Sequence, residues 1–153
     1  MFRLLPFAIV FALGCGSQPV APPPTTISEA HHVELLDKLV VNGALFYYDH
    51  EHLISPSFYA NVTNNTGHTI GKVYFDVAVR GKDREIPYAS GVANYEIGGG
   101  IEPGENAELY FGVLRTGEWT KLPESPDDVL ATVTTLKPWR IDGPDGKSIA
   151  RSR

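Results

Sequence analysis

Four of the five histidines fall in two short clusters, His31-His32 and His50-Glu51-His52. On an extended backbone residues i and i+2 point the same way, so His50 and His52 would present two imidazoles to one point, the start of a metal site. His31 and His32 would be the further ligands. Yet His50-Glu51-His52 stands in a polar stretch between two apolar runs, where charged groups need only water, and a solvated loop is the reading expected of it. A metal- or small-ligand-binding protein using His50 and His52 is carried as the second hypothesis. Nucleophilic catalysis would need a serine or cysteine beside an activating base and an oxyanion hole, and the sequence has no nucleophile elbow. Glu124 with Asp127 and Asp128 has the residue types for glycoside hydrolysis, but sits in a proline-containing loop where solvated turn chemistry is ordinary. The run Gly98-Gly99-Gly100 lacks the lysine of a phosphate loop. An envelope hydrolase is therefore the third and least supported reading; no enzyme and no cofactor are expected.

The 153 residues carry a formal charge of -5 and 42% hydrophobic residues, with seven Phe, seven Tyr and two Trp. That is enough to build one core, and the acidic balance argues against a nucleic-acid partner, which needs clustered Lys and Arg. A single cysteine, Cys15, excludes an intrachain disulfide framework and a cysteine-based zinc site. It comes after Met1-Phe2-Arg3 and an apolar run from Leu4 to Leu13. One positive charge before roughly ten apolar residues reads as a secretory leader, because a permanent span takes about twenty.

The segment Ala12-Leu13-Gly14-Cys15 resembles the bacterial lipobox, with Ala12 in the place usually held by leucine. The resemblance implies cleavage before Cys15 and lipid on its sulfur and new amino group, so that the membrane itself becomes a partner through the anchor. Several acyl chains hold far more firmly than one. Gly16 comes next in place of aspartate, which in a Gram-negative cell implies an outer-membrane lipoprotein facing the periplasm. Residues 1–14 are thus expected to be a signal peptide and 15–27 the lipidated cysteine and a linker. Pro19, Pro22, Pro23 and Pro24 fall in that linker, and in polyproline conformation it would span on the order of 30 Å.

The elements that would carry any site begin at Ser28. Ser28 as N-cap, Glu29 in the first turn, and the stripe of Leu35, Leu36 and Leu39 predict a short helix within 28–43, ending near Asn42-Gly43. A β-domain is expected over 44–149. Strands are predicted at Leu45–Tyr48 and Phe58–Thr63. Val73, Phe75, Val77 and Val79 alternate with Tyr74, Asp76, Ala78 and Arg80, a strong period-two signal. Edge segments are expected at Ile86–Tyr88 and Val92–Ile97, a half-buried strand over 107–113, a long strand from Val129 to about Leu136, and a short terminal piece at Lys147–Ile149. Short strands punctuated by Asn64-Asn65-Thr66-Gly67, Pro103-Gly104, Asp142-Gly143 and Asp145-Gly146 predict an antiparallel immunoglobulin-like β-sandwich, with an open barrel as the competitor.

Asn61 through Ile70, the strand opening Lys72-Val73-Tyr74-Phe75, and Ile101-Glu102-Pro103-Gly104-Glu105 resemble the strand and turn pattern of small extracytoplasmic sandwich domains, the FxLYD-type domain among them. The run Asn94 to Glu105, with Trp119 beyond it, is similar to a group of uncharacterised bacterial lipoproteins. Both resemblances cover about 44–149, rest on turn chemistry, and imply fold without supplying a catalytic residue.

The nine tyrosines and tryptophans suggest softer chemistry. Tyr74 and Tyr110 fall opposite the core-facing Phe75 and Phe111 and are the candidates for an interaction surface. The first hypothesis is therefore a non-enzymatic, lipid-anchored cell-envelope module that contacts another envelope protein through a sheet edge or an aromatic face.

Overall fold

A computed structural model describes residues 29–49 and 55–152. A helix, α1 (Glu29–Asp37), precedes seven strands: β1 (Leu39–Asp49), β2 (Ser55–Asn64), β3 (Ile70–Gly81), β4 (Ala89–Ile101), β5 (Asn106–Gly112), β6 (Thr132–Asp142) and β7 (Ser148–Ala150). A one-turn 3-10 helix (Gly117–Lys121) and a short helix, α2 (Pro126–Leu130), lie between β5 and β6.

The strands form two antiparallel sheets, ordered β1-β2-β5 and β4-β3-β6-β7. The order is similar to that of an immunoglobulin constant-type sandwich, except that the fourth strand pairs with the third in the opposite sheet. The expected β-sandwich is the observed one. Its core is made by period-two alternation. Pro56, Phe58, Ala60 and Val62 of β2 and Leu109 and Phe111 of β5 face Val73, Phe75, Val77 and Val79 of β3. Phe75 and Phe111 close the two sheets on each other, with ring centroids 5.8 Å apart and planes 5° from parallel. Phe58 continues the stack to Phe111 at 5.6 Å and meets Trp119 of the 3-10 helix edge-on at 5.7 Å. Each such aromatic pair adds about 1 kcal/mol beyond its buried area.

Several local expectations are corrected. The helix stops at Asp37, and Asn42-Gly43 lies inside β1, where the register with β2 slips between Val41 and Gly43. A β-bulge, not a helix end, is what those two residues serve. Residues Ile86–Tyr88 form no strand but the turn between β3 and β4. Val129 belongs to α2, whose N-cap Ser125 accepts from the Asp128 backbone N–H at 3.2 Å with Pro126 in the first turn, so β6 starts only at Thr132. The glycine run lies within β4: the stretch from Glu96 to Ile101 spans what β3 covers from Lys72 to Ile70. Gly99 and Gly100 take φ of 85° and 80° there, and a side chain at Gly100 would press Thr69.

The short connections β2–β3 and β4–β5 both cross between the sheets at one end of the sandwich. They are tied together by Asn64, which is fully buried. Its Nδ2 donates to the carbonyls of His68 and Ile101, both at 2.8 Å, and its Oδ1 accepts from the backbone and hydroxyl of Thr66 at 3.0 and 2.7 Å. The Gly104 N–H donates in turn to the Asn64 carbonyl. The Asn-Asn-Thr-Gly and Pro-Gly-Glu motifs are therefore two halves of one polar knot.

Candidate interaction faces

Strand alternation turns a second set of side chains outward, and the bulges decide which. On the three-stranded sheet, Leu45, Tyr59 and Tyr110 stand side by side on β1, β2 and β5. Tyr47 is next along β1. Leu45 is 62% exposed and Tyr110 53%. The Tyr59 and Tyr110 rings lie 5.1 Å apart, and their hydroxyls donate to the two carboxylate oxygens of Glu108, at 3.2 and 3.0 Å. Glu108 thereby fixes both rings upright on the sheet. The hydrogen bond to that carboxylate, with lesser help from burial and neighbouring charge, pushes the Tyr110 phenol up from its ordinary value. Toward the knotted end the same face turns polar, with Asn42 donating to Asn61 and Thr63, and Thr63 to Asn106.

The four-stranded sheet presents different chemistry. A bulge in β6 sets Pro138 opposite Phe75 and Arg140 opposite Tyr74, leaving Trp139 as the extra residue. Proline removes a ladder donor and is tolerated in a strand at such a break. The bulge turns Trp139 and Arg140 outward in succession. Tyr74 lies between them, 5.6 Å from the Trp139 ring and 4.8 Å from the Arg140 guanidinium, with the Lys72 ammonium 5.4 Å from its centroid. Arg140 Nε and a terminal nitrogen donate to both oxygens of Asp142 at 2.7 and 3.0 Å, and the hydroxyls of Tyr74 and Ser148 donate to the same carboxylate at 3.0 and 2.7 Å. Burial pushes the Asp142 carboxyl up, but the bonds from Arg140, Ser148 and Tyr74 and the Arg140 charge outweigh it and hold the group below its ordinary value. A hollow of about 450 Å³ beside Lys72, Tyr74, Glu96 and Asp142 opens on this face.

Tyr74 and Tyr110 do face outward, as the alternation predicts, but on opposite sides of the sandwich. They do not share a surface: β3 and β5 belong to different sheets. Tyr74 is caged by cations and a carboxylate, whereas Tyr110 is open. Cys15, His50 and His52 lie outside the described residues. His32 places its Nδ1 3.2 Å from the Ala150 carbonyl, which seats α1 against β7. His68 serves the turn through its backbone, its N–H donating to the Thr66 hydroxyl and its carbonyl accepting from Asn64 and Thr66. Glu124 pairs with Arg115, and Asp128 accepts from the Ser125 hydroxyl. Among the described residues no three His, Asp or Glu stand close enough together to hold a metal ion, and no helix is long and apolar enough to cross a membrane.

No protein-family model, curated protein or solved structure matches the chain. The cage of Arg140, Asp142 and Ser148 has no signature in the spacing of its residues, although Pro138 inside a long strand pattern signals that the strand breaks there and re-aims Trp139 and Arg140.

Proposed function

We propose that the protein is a lipid-anchored cell-envelope module, tethered through Cys15, that works by binding another envelope protein and not by catalysis. The observation that supports it is the outer face of the three-stranded sheet, where Leu45 and Tyr110 are 62% and 53% exposed beside Tyr47 and Tyr59. Tyrosine and leucine side chains would remove large apolar areas from water at such a face, and tyrosines held by Glu108 have little rotamer freedom left to lose on binding. Rigid aromatic anchors of this kind carry most of the energy of protein interfaces. Either edge of this sheet, β1 or β5, would extend the same contact.

The test is made in intact cells with a photo-crosslinking residue at position 110 and, as control, at Asn94 on the opposite sheet. One discrete adduct formed from position 110, absent from position 94 and lost on Leu45→Asp, supports the reading. Equal labelling from both positions removes it. Cys15→Ser separates the anchor from the binding face: it should move the protein from the membrane to the soluble fraction, and unchanged detergent partitioning refutes the anchor.

A further inference from the structure

The end of the sandwich that Asn64 ties together carries a second feature. β6 ends beside the start of β3, Asp142 pairing with Lys72, so the β6–β7 hairpin lies next to the β2–β3 turn. Two glycines make the approach close. A Cβ at Gly71 would meet the Pro144 backbone nitrogen at 3.3 Å, and one at Gly143 would stand 2.7 Å from Asp145 Oδ1 and 3.4 Å from the Thr69 carbonyl oxygen. Between hairpin and turn is a recess of about 560 Å³, a size in the range of ligand-binding pockets. Ile141, Pro144 and Ile149 give it apolar walls.

Hydrogen bonds hold both sides of the recess in place. The Gly143 N–H donates to the Lys147 carbonyl at 2.8 Å and the Lys147 N–H to Asp145 Oδ1 at 3.1 Å, which closes the hairpin. On the turn, the backbone of His68 is bonded to Asn64 and Thr66. A site built in advance loses little to ordering when it is filled. Most polar groups around it are committed elsewhere: Lys147 pairs with Asp145 at 2.8 Å, the Thr69 hydroxyl donates to Glu102, and the Ser148 hydroxyl donates to Asp142. His68 is the exception. It lines the recess, and among the described residues its imidazole has no hydrogen-bond partner.

We propose that the recess binds a small uncharged molecule with an apolar body and one hydroxyl group, the body on Ile141, Pro144 and Ile149 and the hydroxyl on the His68 imidazole. The apolar walls select the body, because covering them removes aliphatic surface from water. Lys147 and Asp145 cancel each other's charge on the rim, so neither an anion nor a cation finds an unpaired counter-charge there. An imidazole can both donate and accept, as a hydroxyl does. A ring buries apolar area with few rotors to freeze, which makes a phenol the simplest member of the class. The site depends on neither the Cys15 anchor nor the tyrosine face.

The test is a titration of the full chain, labelled at its isoleucine methyl groups, with para-cresol. We expect saturable shifts of the Ile141 and Ile149 methyl resonances and none at Ile86, which stands in the β3–β4 turn. Toluene lacks the hydroxyl and should bind about fivefold more weakly, the worth of one net hydrogen bond. His68→Ala alters an exposed side chain whose ring makes no bond in the fold, so the variant should keep its structure. It should lower para-cresol affinity by about the same factor and leave toluene unchanged. Shifts that grow linearly without saturation, or that Ile86 shares, overturn the inference. So does para-toluate binding more tightly than para-cresol, because Lys147 would then serve an anion. A His68→Ala variant with undiminished para-cresol affinity overturns it as well.

Discussion

Asn64 donates to the carbonyl of Ile101 across 2.8 Å, joining the end of β2 to the end of β4 through a side chain that is wholly buried. Both ends of that amide are bonded, so its removal takes the side-chain donor from the Ile101 carbonyl and the acceptor from the Thr66 backbone N–H, and leaves the His68 carbonyl with the Thr66 hydroxyl alone. An unsatisfied buried group costs about 1–3 kcal/mol. Asn64→Ala should therefore cost about 3 kcal/mol in urea unfolding at an unchanged slope, while Asn65→Ala, at an exposed neighbour, should stay within about 0.5 kcal/mol. Asn64 also belongs to an Asn-x-Thr sequon, and its burial makes it a poor glycan acceptor in the folded protein.

At the other end Gly91 is the floor under Trp119. A Cβ at position 91 would lie 2.8 Å from Trp119 Cζ2. The indole also packs on Phe58, so it cannot withdraw without opening the core. Gly91→Ala should cost about 1–3 kcal/mol, the range for overpacking, and should red-shift Trp119 emission as the 3-10 helix lifts. The emission is best read in a Trp139→Phe background. An unshifted spectrum with full stability would mean that the indole sits elsewhere in solution.

These two residues mark the boundary of what is legible in the sequence. The period-two runs around Phe75 and Phe111 reveal strands and their inner faces, because alternation is local. Sheet membership is not local, so nothing in the spacing of Tyr74 and Tyr110 discloses that they back onto each other through the core. Ser125-Pro126-Asp127-Asp128 carries a helix-start signal that Val129 and the β-branched run after it obscure. The Asn64 turn is legible as a turn, but its bond to Ile101 depends on a contact 37 residues away.

The outer cage around Asp142 should be visible in acid. Its carboxyl is held below its ordinary value in the folded protein, so its contribution to stability is complete above about pH 4, the unfolded value, and is lost as pH falls through the lower folded one. Asp142→Asn should flatten the acid limb of stability against pH below about 4. It should also lower stability at neutral pH by leaving Arg140 without its carboxylate. An acid limb identical in wild type and variant would remove Asp142 from that role, and Ser148→Ala, which deletes one of its donors, should give a smaller change of the same sign.

Tyr110 offers the converse case on the opposite face. Its hydroxyl donates to Glu108, and ionising it would break that bond and set two negative charges side by side, so the phenol resists deprotonation. It should titrate above the ordinary tyrosine value of about 10, and Glu108→Gln should bring it back toward that value. The Cζ resonance of Tyr110 in protein carrying isotope-labelled tyrosine tracks the change residue by residue. The same substitution frees the Tyr59 and Tyr110 rings from their shared carboxylate, so it should also weaken crosslinking from a photo-reactive residue at position 47, which leaves both rings in place, if ring rigidity is what the binding partner uses. A restored titration with undiminished crosslinking would assign Glu108 to the protonation of Tyr110 alone and leave recognition to the apolar surface of Leu45 and the two rings.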